Sequence, residues 1–160
     1  MAERAPSYIP EGMNTVTTHL WFNGDCRKAL DAYQKLIGAE LVGEVIPWPD
    51  GEKVMHAMIK IGDTNIMLAD AWPGGYEHGP TKGASASLWC YVEDCDAYYN
   101  RAVNAGWEVV DEMMDAFWGD RSGKVKDPFG HCWSFSTFKW IYTPEEMQQK
   151  QQEWQTTAQI

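Results

Sequence analysis

Two periodicities alternate along this chain. Residues 15–22 (TVTTHLWF) are β-branched and aromatic and predict a strand. Asn23-Gly24-Asp25 makes a turn. Residues 26–37 then carry Ala29, Leu30, Tyr33, Leu36 and Ile37 at helical spacing, with Gly38 as the stop. A strand follows at 40–46, then a loop at Pro47-Trp48-Pro49-Asp50-Gly51, then a hairpin from 54–61 to 65–69 across Gly62-Asp63. Residues 72–84 are rich in proline and glycine and read as a linker. Behind it the same order returns: a strand at 85–92, a helix at 96–105 ended by Gly106, and a strand at 108–113. Two further strands, 121–126 and 132–137, flank Asp127-Pro128-Phe129-Gly130.

The repeat is also visible in the letters. Asp25-Cys26 before the first helix matches Asp94-Cys95 before the second, and Gly38-Ala39-Glu40-Leu41-Val42 matches Gly106-Trp107-Glu108-Val109-Val110. The expectation is an α+β fold of two βαβββ modules, 14–71 and 85–138. A lead-in covers 1–13 and a helical tail covers 139–160. In the tail, Thr143 is placed as an N-cap, Pro144 at the first helical position and Glu146 as its reciprocal partner. A sheet of this kind has one face under its helix and one face bare. Two bare faces joined together give an open, cupped mixed β-barrel with the helices outside and a pocket within.

Composition narrows the function. The 160 residues carry 13 basic and 23 acidic side chains, a formal charge of −10, which opposes phosphate backbones and anionic lipid. Neither a nucleic acid nor a membrane is an expected partner. The start, MAERAPSYIPEG, shows no apolar leader segment, so the cytoplasm is the expected compartment. The four cysteines (Cys26, Cys90, Cys95, Cys132) have neither CxxC nor zinc-type spacing and read as reduced thiols. Nine tryptophans in so short a chain are unusual, and indoles both fill cores and line sites for flat ligands.

Several segments together resemble one family. In the first module they are Ala29 to Tyr33 with Gly38-Ala39-Glu40, Val54-Met55-His56-Ala57, Ile61-Gly62-Asp63 and Met67-Leu68-Ala69-Asp70. In the second they are Tyr91-Val92-Glu93-Asp94, Trp118-Gly119-Asp120-Arg121 and Asp127-Pro128-Phe129-Gly130-His131-Cys132-Trp133. From about residue 15 to 146 the chain resembles the vicinal oxygen chelate superfamily (glyoxalase, bleomycin resistance, extradiol dioxygenase), in its PhnB-like branch. The resemblance implies the cupped barrel and homodimers, sometimes with exchanged modules. It leaves the chemistry open, because members isomerise, cleave rings or sequester drugs without chemistry. No Gly-x-Gly loop follows a strand, so a methyltransferase is not expected.

Superfamily enzymes hold a divalent metal with ligands from the first and last strands of each module. Carried onto this sequence by counting back from Asp25 and Asp94, those positions are Thr18 and Ser87, with Ser134 and either Met67 or Asp70 on the last strands. Hydroxyls are poor ligands for zinc, iron or manganese, so no cofactor is favoured. The alternative is a divalent metal held by His56 and Asp70, joined by His19. By strand parity His19 would point with Trp21 toward the helix as a core residue.

The same parity puts Thr18, Leu20 and Phe22 in the cavity on the first strand, and Ser87, Trp89 and Tyr91 on its counterpart. His56 and Met58 join them, as do Cys132, Ser134 and Ser136, while Trp133 and Phe135 are core. The resemblance implies that Trp118 lies near the mouth, just ahead of Arg121. There Arg121 either clamps an anion or, with Asp120, pins a turn. Trp48 and Trp72 are loop residues suited to lids. The expected function is the binding of a small aromatic or partly apolar molecule without metal catalysis. His56 is the one candidate for acid or base work. The alternative is a metal-dependent lyase or isomerase of glyoxalase type.

Overall fold

The computed structural model describes residues 4–158. It divides into two compact units that meet in sequence at Thr81 and Lys82. In the first unit, β1 (His19–Phe22) leads into α1 (Cys26–Leu36), followed by β2 (Glu40–Leu41), β3 (Ile46–Pro47), β4 (Val54–Ile61) and β5 (Thr64–Asp70). The sheet order is β1-β5-β4-β2, with β3 also on β4. β1 runs parallel to β5, and β4 and β5 form an antiparallel hairpin. The second unit repeats the plan with β6 (Leu88–Tyr91), α2 (Cys95–Asn104), β7 (Glu108–Asp115), β8 (Asp120–Lys126) and β9 (Cys132–Phe138) in the order β6-β9-β8-β7. β6 is again parallel to β9. The duplicated α+β organisation is therefore present, strand for strand apart from the extra β3.

Each helix covers one face of its own sheet. α1 buries Ala29, Leu30 and Tyr33 at helical spacing, and the Tyr33 ring stands 6.4 Å from Phe22 of β1. Leu20, Ala57, Ile59 and Leu68 complete that core. Under α2 the core is Trp133 and Phe135 of β9 with Val125 of β8 and Tyr99 of the helix, and Tyr98 lies 5.8 Å from Phe135. Burying side chains of this size is the main favourable term for each unit.

Several elements are shorter than the hydrophobic pattern implies. The first strand starts at His19, leaving Thr18 exposed ahead of it, and the strand expected at 85–92 starts at Leu88, leaving Ser87 exposed likewise. The strand expected at 40–46 is broken into β2 and β3, because Gly43 turns out of the sheet at a φ of 71°. α3 (Pro144–Ala158) begins where expected. Thr143 Oγ1 accepts the Glu146 N–H at 3.2 Å, and Glu146 Oε2 accepts the Thr143 N–H at 2.9 Å. Among the described residues no helix is long and apolar enough to cross a membrane.

Candidate functional site

In the second unit the face of the sheet away from α2 gathers aromatic and hydroxyl side chains. Trp89 pairs with Ser134 and Tyr91 with Ser136 across the parallel β6–β9 ladder, and Ser122 of β8 stands opposite Ser136. Partners in a ladder share a face. Trp89 is 42% exposed and Tyr91 64% exposed, whereas Ser134 and Ser136 are buried between their strands. Trp118, in the turn between β7 and β8, brings its ring to 6.2 Å from Trp89 and 4.9 Å from Phe117. The Ser134 hydroxyl is buried and has no hydrogen-bond partner among the described residues.

Asp120 completes this face. It is 2% exposed, and its Oδ2 accepts the Tyr91 hydroxyl at 3.1 Å and the Ser136 hydroxyl at 2.9 Å. Desolvation, then the hydrogen bond to Asp120 and its charge, hold the Tyr91 phenol above its ordinary pKa. Tyr91 is thus a proton donor in a fixed bond and not a phenolate. The sequence reading did not select Asp120 as a site residue. The signal was the period of two on β8, which puts Asp120, Ser122 and Lys124 on one face and Arg121, Gly123 and Val125 on the other.

Arg121 is therefore turned away from Tyr91. It lies on the helix side, where Nε and Nη2 donate to the Asp96 carboxylate of α2 at 2.6 and 2.7 Å and Nη1 reaches Asp115 at 3.3 Å. Its partners are thus Asp96 and Asp115, and not the adjacent Asp120.

In the first unit the parity assigned to β1 is reversed. Leu20 and Phe22 are buried on the α1 side, not turned to the uncovered face. His19 and Trp21 occupy the opposite face, ring to ring at 4.3 Å. The cause is one inserted residue. The Cys26 N–H is held by Asp70, which pairs with Phe22, whereas the Cys95 N–H is held by Thr137, one residue past the Ser136 that pairs with Tyr91. Phe22 thus matches Val92. The connection to α1 is Asn23-Gly24-Asp25 where the second unit has only Glu93-Asp94, and Gly24 takes up the extra residue at a φ of 97°. Counting back from the paired aspartates carried this offset into the strand.

With the register corrected, His19 is the equivalent of Trp89, and Met67, its ladder partner, is the equivalent of Ser134. His56 and Met58 of β4 share the His19 face, since Met58 pairs with Met67. The His19 Nε2 is buried without a partner among the described residues, and burial, reinforced by the nearby His56, holds the imidazole's pKa below the ordinary value.

Asp70 belongs to the other face. It is fully buried, with Oδ1 accepting the N–H of Gly24 at 2.8 Å and Cys26 at 3.1 Å, and Oδ2 accepting that of Val54 at 2.8 Å. It is a clip for the start of α1 and cannot join His56 and His19 around an ion. The residues present do not fit the family's divalent metal. The equivalent positions offer an imidazole, a thioether, an indole and a hydroxyl, and no group of three His, Cys, Asp or Glu side chains is placed to hold an ion among the described residues. Burial pushes the Cys26 thiol up to about 12 and the Cys90 thiol up to about 11, so neither of these two supplies a thiolate. The loop tryptophans Trp48 and Trp72 lie against each other at 4.6 Å, and Trp48 Nε1 donates to the Asp70 carbonyl oxygen at 3.2 Å.

Comparison with known proteins agrees with this architecture. The chain is 44% identical over 115 residues to the uncharacterized protein Mb0911c of Mycobacterium bovis, an overlap of 69% of this chain and 74% of that protein. The PhnB protein from Bacillus cereus matches at a TM-score of 0.63 and 20% identity, over 78% of this chain and 99% of the other. TnmS3, an antibiotic binding protein from Streptomyces sp. CB03234, matches at a TM-score of 0.57 and 23% identity, over 79% and 98%. At such identities the two solved structures establish a common fold and nothing finer. The model of the Glyoxalase/Bleomycin resistance protein/Dioxygenase superfamily matches residues 15–135, and the chain belongs to that family.

Proposed function

We propose that this protein binds a small aromatic or partly apolar molecule on the uncovered face of its second sheet, without metal chemistry. One observation carries the reading: the Trp89 ring, 6.2 Å from that of Trp118, belongs to the ladder partner of Ser134, whose buried hydroxyl lacks a partner among the described residues. Indole surfaces left in water are costly unless a ligand or another surface covers them, and an unpaired buried hydroxyl is a ready contact for a polar ligand group. The fold likeness to TnmS3, an antibiotic binding protein, supports the same class of function by analogy. The donor sets in both units weigh against the metal-dependent lyase or isomerase.

The test is a titration of the intact chain with a panel of planar antibiotics and aromatic acids, followed by tryptophan fluorescence and equilibrium dialysis. Saturable quenching that Trp89→Ala weakens is the expected result. A full panel that neither quenches nor binds would overturn the reading.

A further inference from the structure

Asp120 is a buried carboxylate with no positive partner among the described residues. Its two hydrogen bonds, from Tyr91 and Ser136, come from neutral hydroxyls and fall on the same oxygen, Oδ2. Oδ1 accepts none among the described residues. The ion pairs formed there engage Asp96, Asp115, Asp111 and Glu108, not Asp120. The adjacent arginine, Arg121, faces the other side of the sheet and is committed to Asp96 and Asp115. Lys124, on the Asp120 side, is committed to Asp111 at 3.0 Å. A charge removed from water is retained at a cost unless a cation or several donors answer it. The Tyr91 hydroxyl that binds Asp120 belongs to a ring 6.5 Å from that of Trp89, and the Trp89 ring in turn stands 6.2 Å from that of Trp118. Aromatic faces attract cations, and a net charge of −10 raises the local concentration of cationic ligands.

Resting on the small-molecule reading above, we infer that the ligand is a planar aromatic cation whose protonated amine or amidine hydrogen-bonds to Asp120 while its ring system stacks on Trp89 and Trp118. Neutral or anionic molecules of the same shape gain the stacking but not the charge-assisted bond. The anion also meets repulsion from the carboxylate.

Three probes of nearly one shape separate the possibilities: 9-aminoacridine (cationic at neutral pH), acridone (neutral) and acridine-9-carboxylate (anionic), each measured by calorimetry and equilibrium dialysis on the full chain. The expected order is cation, then neutral, then anion, with at least about tenfold between the first two, the worth of a hydrogen bond to a charged group. Asp120→Asn should abolish that gap, read as the ratio of the two affinities within the variant. Tyr91→Phe keeps the charge and should keep the gap. Should Asp120→Asn fail to fold by circular dichroism, the salt response of the unaltered chain decides. Added sodium chloride should weaken 9-aminoacridine and spare acridone. Equal binding of cation and neutral probe, a gap that survives Asp120→Asn, or an identical salt response would overturn the charge assignment and leave the aromatic-ligand reading standing. Failure of all three probes to bind would overturn both.

Discussion

Arg121 holds Asp96 with two short, parallel hydrogen bonds, tying the first turn of α2 to the start of β8. The pair is partly exposed, 29% for the arginine side chain and 42% for the aspartate, so solvent screens much of its charge energy. Arg121→Ala should therefore cost only about 1 kcal/mol, as read from urea unfolding. Because the pair lies on the helix side of the sheet, ligand affinity should not change. A variant of normal stability with lost binding would return Arg121 to the site. The arginine, through its hydrogen bond above all, holds the Asp96 carboxyl below its ordinary pKa. The stability it lends is thus present above the unfolded carboxylate value and lost as pH falls through the lower folded one.

The duplicated fold was legible because each helix carries its apolar stripe between the same punctuation, an aspartate-cysteine entry and a glycine exit. The side-chain arrangement of the candidate face was legible only in the second unit. Trp89, Tyr91 and Ser134 follow from plain alternation on β6 and β9, and Trp118 stands beside Trp89. On β1 the same logic failed for Leu20, Phe22 and His19. A turn may absorb one residue without altering the strand or the helix on either side, and a shift of one inverts every side chain. Asp70 misled for a different reason: its three bonds are to backbone N–H groups, and no residue pattern marks such a clip.

That clip gives a sharp stability prediction. Asp70 satisfies Gly24, Cys26 and Val54 at once in a fully buried setting. Asp70→Ala leaves the buried N–H groups of Cys26 and Val54 unanswered, at about 1–3 kcal/mol each, while the part-buried Gly24 N–H can turn to water. The variant should unfold at much lower urea than Arg121→Ala or fail to fold. A loss under about 1 kcal/mol would contradict the role assigned here.

Phe22 and Trp89 exchange the roles that a simple repeat count would give them. Phe22, fully buried against Tyr33, should cost about 3–5 kcal/mol when cut to alanine, by lost burial and the cavity left behind. Trp89→Ala removes a ring that is 42% exposed, so stability should move little. Ligand affinity should fall by about 1–3 kcal/mol. Paired denaturation and binding curves check this, and a ligand effect at Phe22 without loss of stability would overturn the corrected register.

His19 supplies a prediction in pH. Its imidazole is half-buried with Nε2 unpartnered, and its pKa is lowered first by burial and then by His56, against a smaller opposing pull from Glu77. The folded chain therefore binds this proton less readily than the unfolded chain. The stability tied to the neutral ring is complete above the unfolded value near 6.5 and is lost as pH falls through the lower folded value. His19→Gln, which cannot charge, should flatten the decline of unfolding free energy just below pH 6.5 while leaving the carboxylate-driven loss nearer pH 4 in place. Urea midpoints measured at intervals across that range provide the check. A slope unchanged by the substitution would mean that the imidazole titrates alike in both states and is not shielded by the sheet.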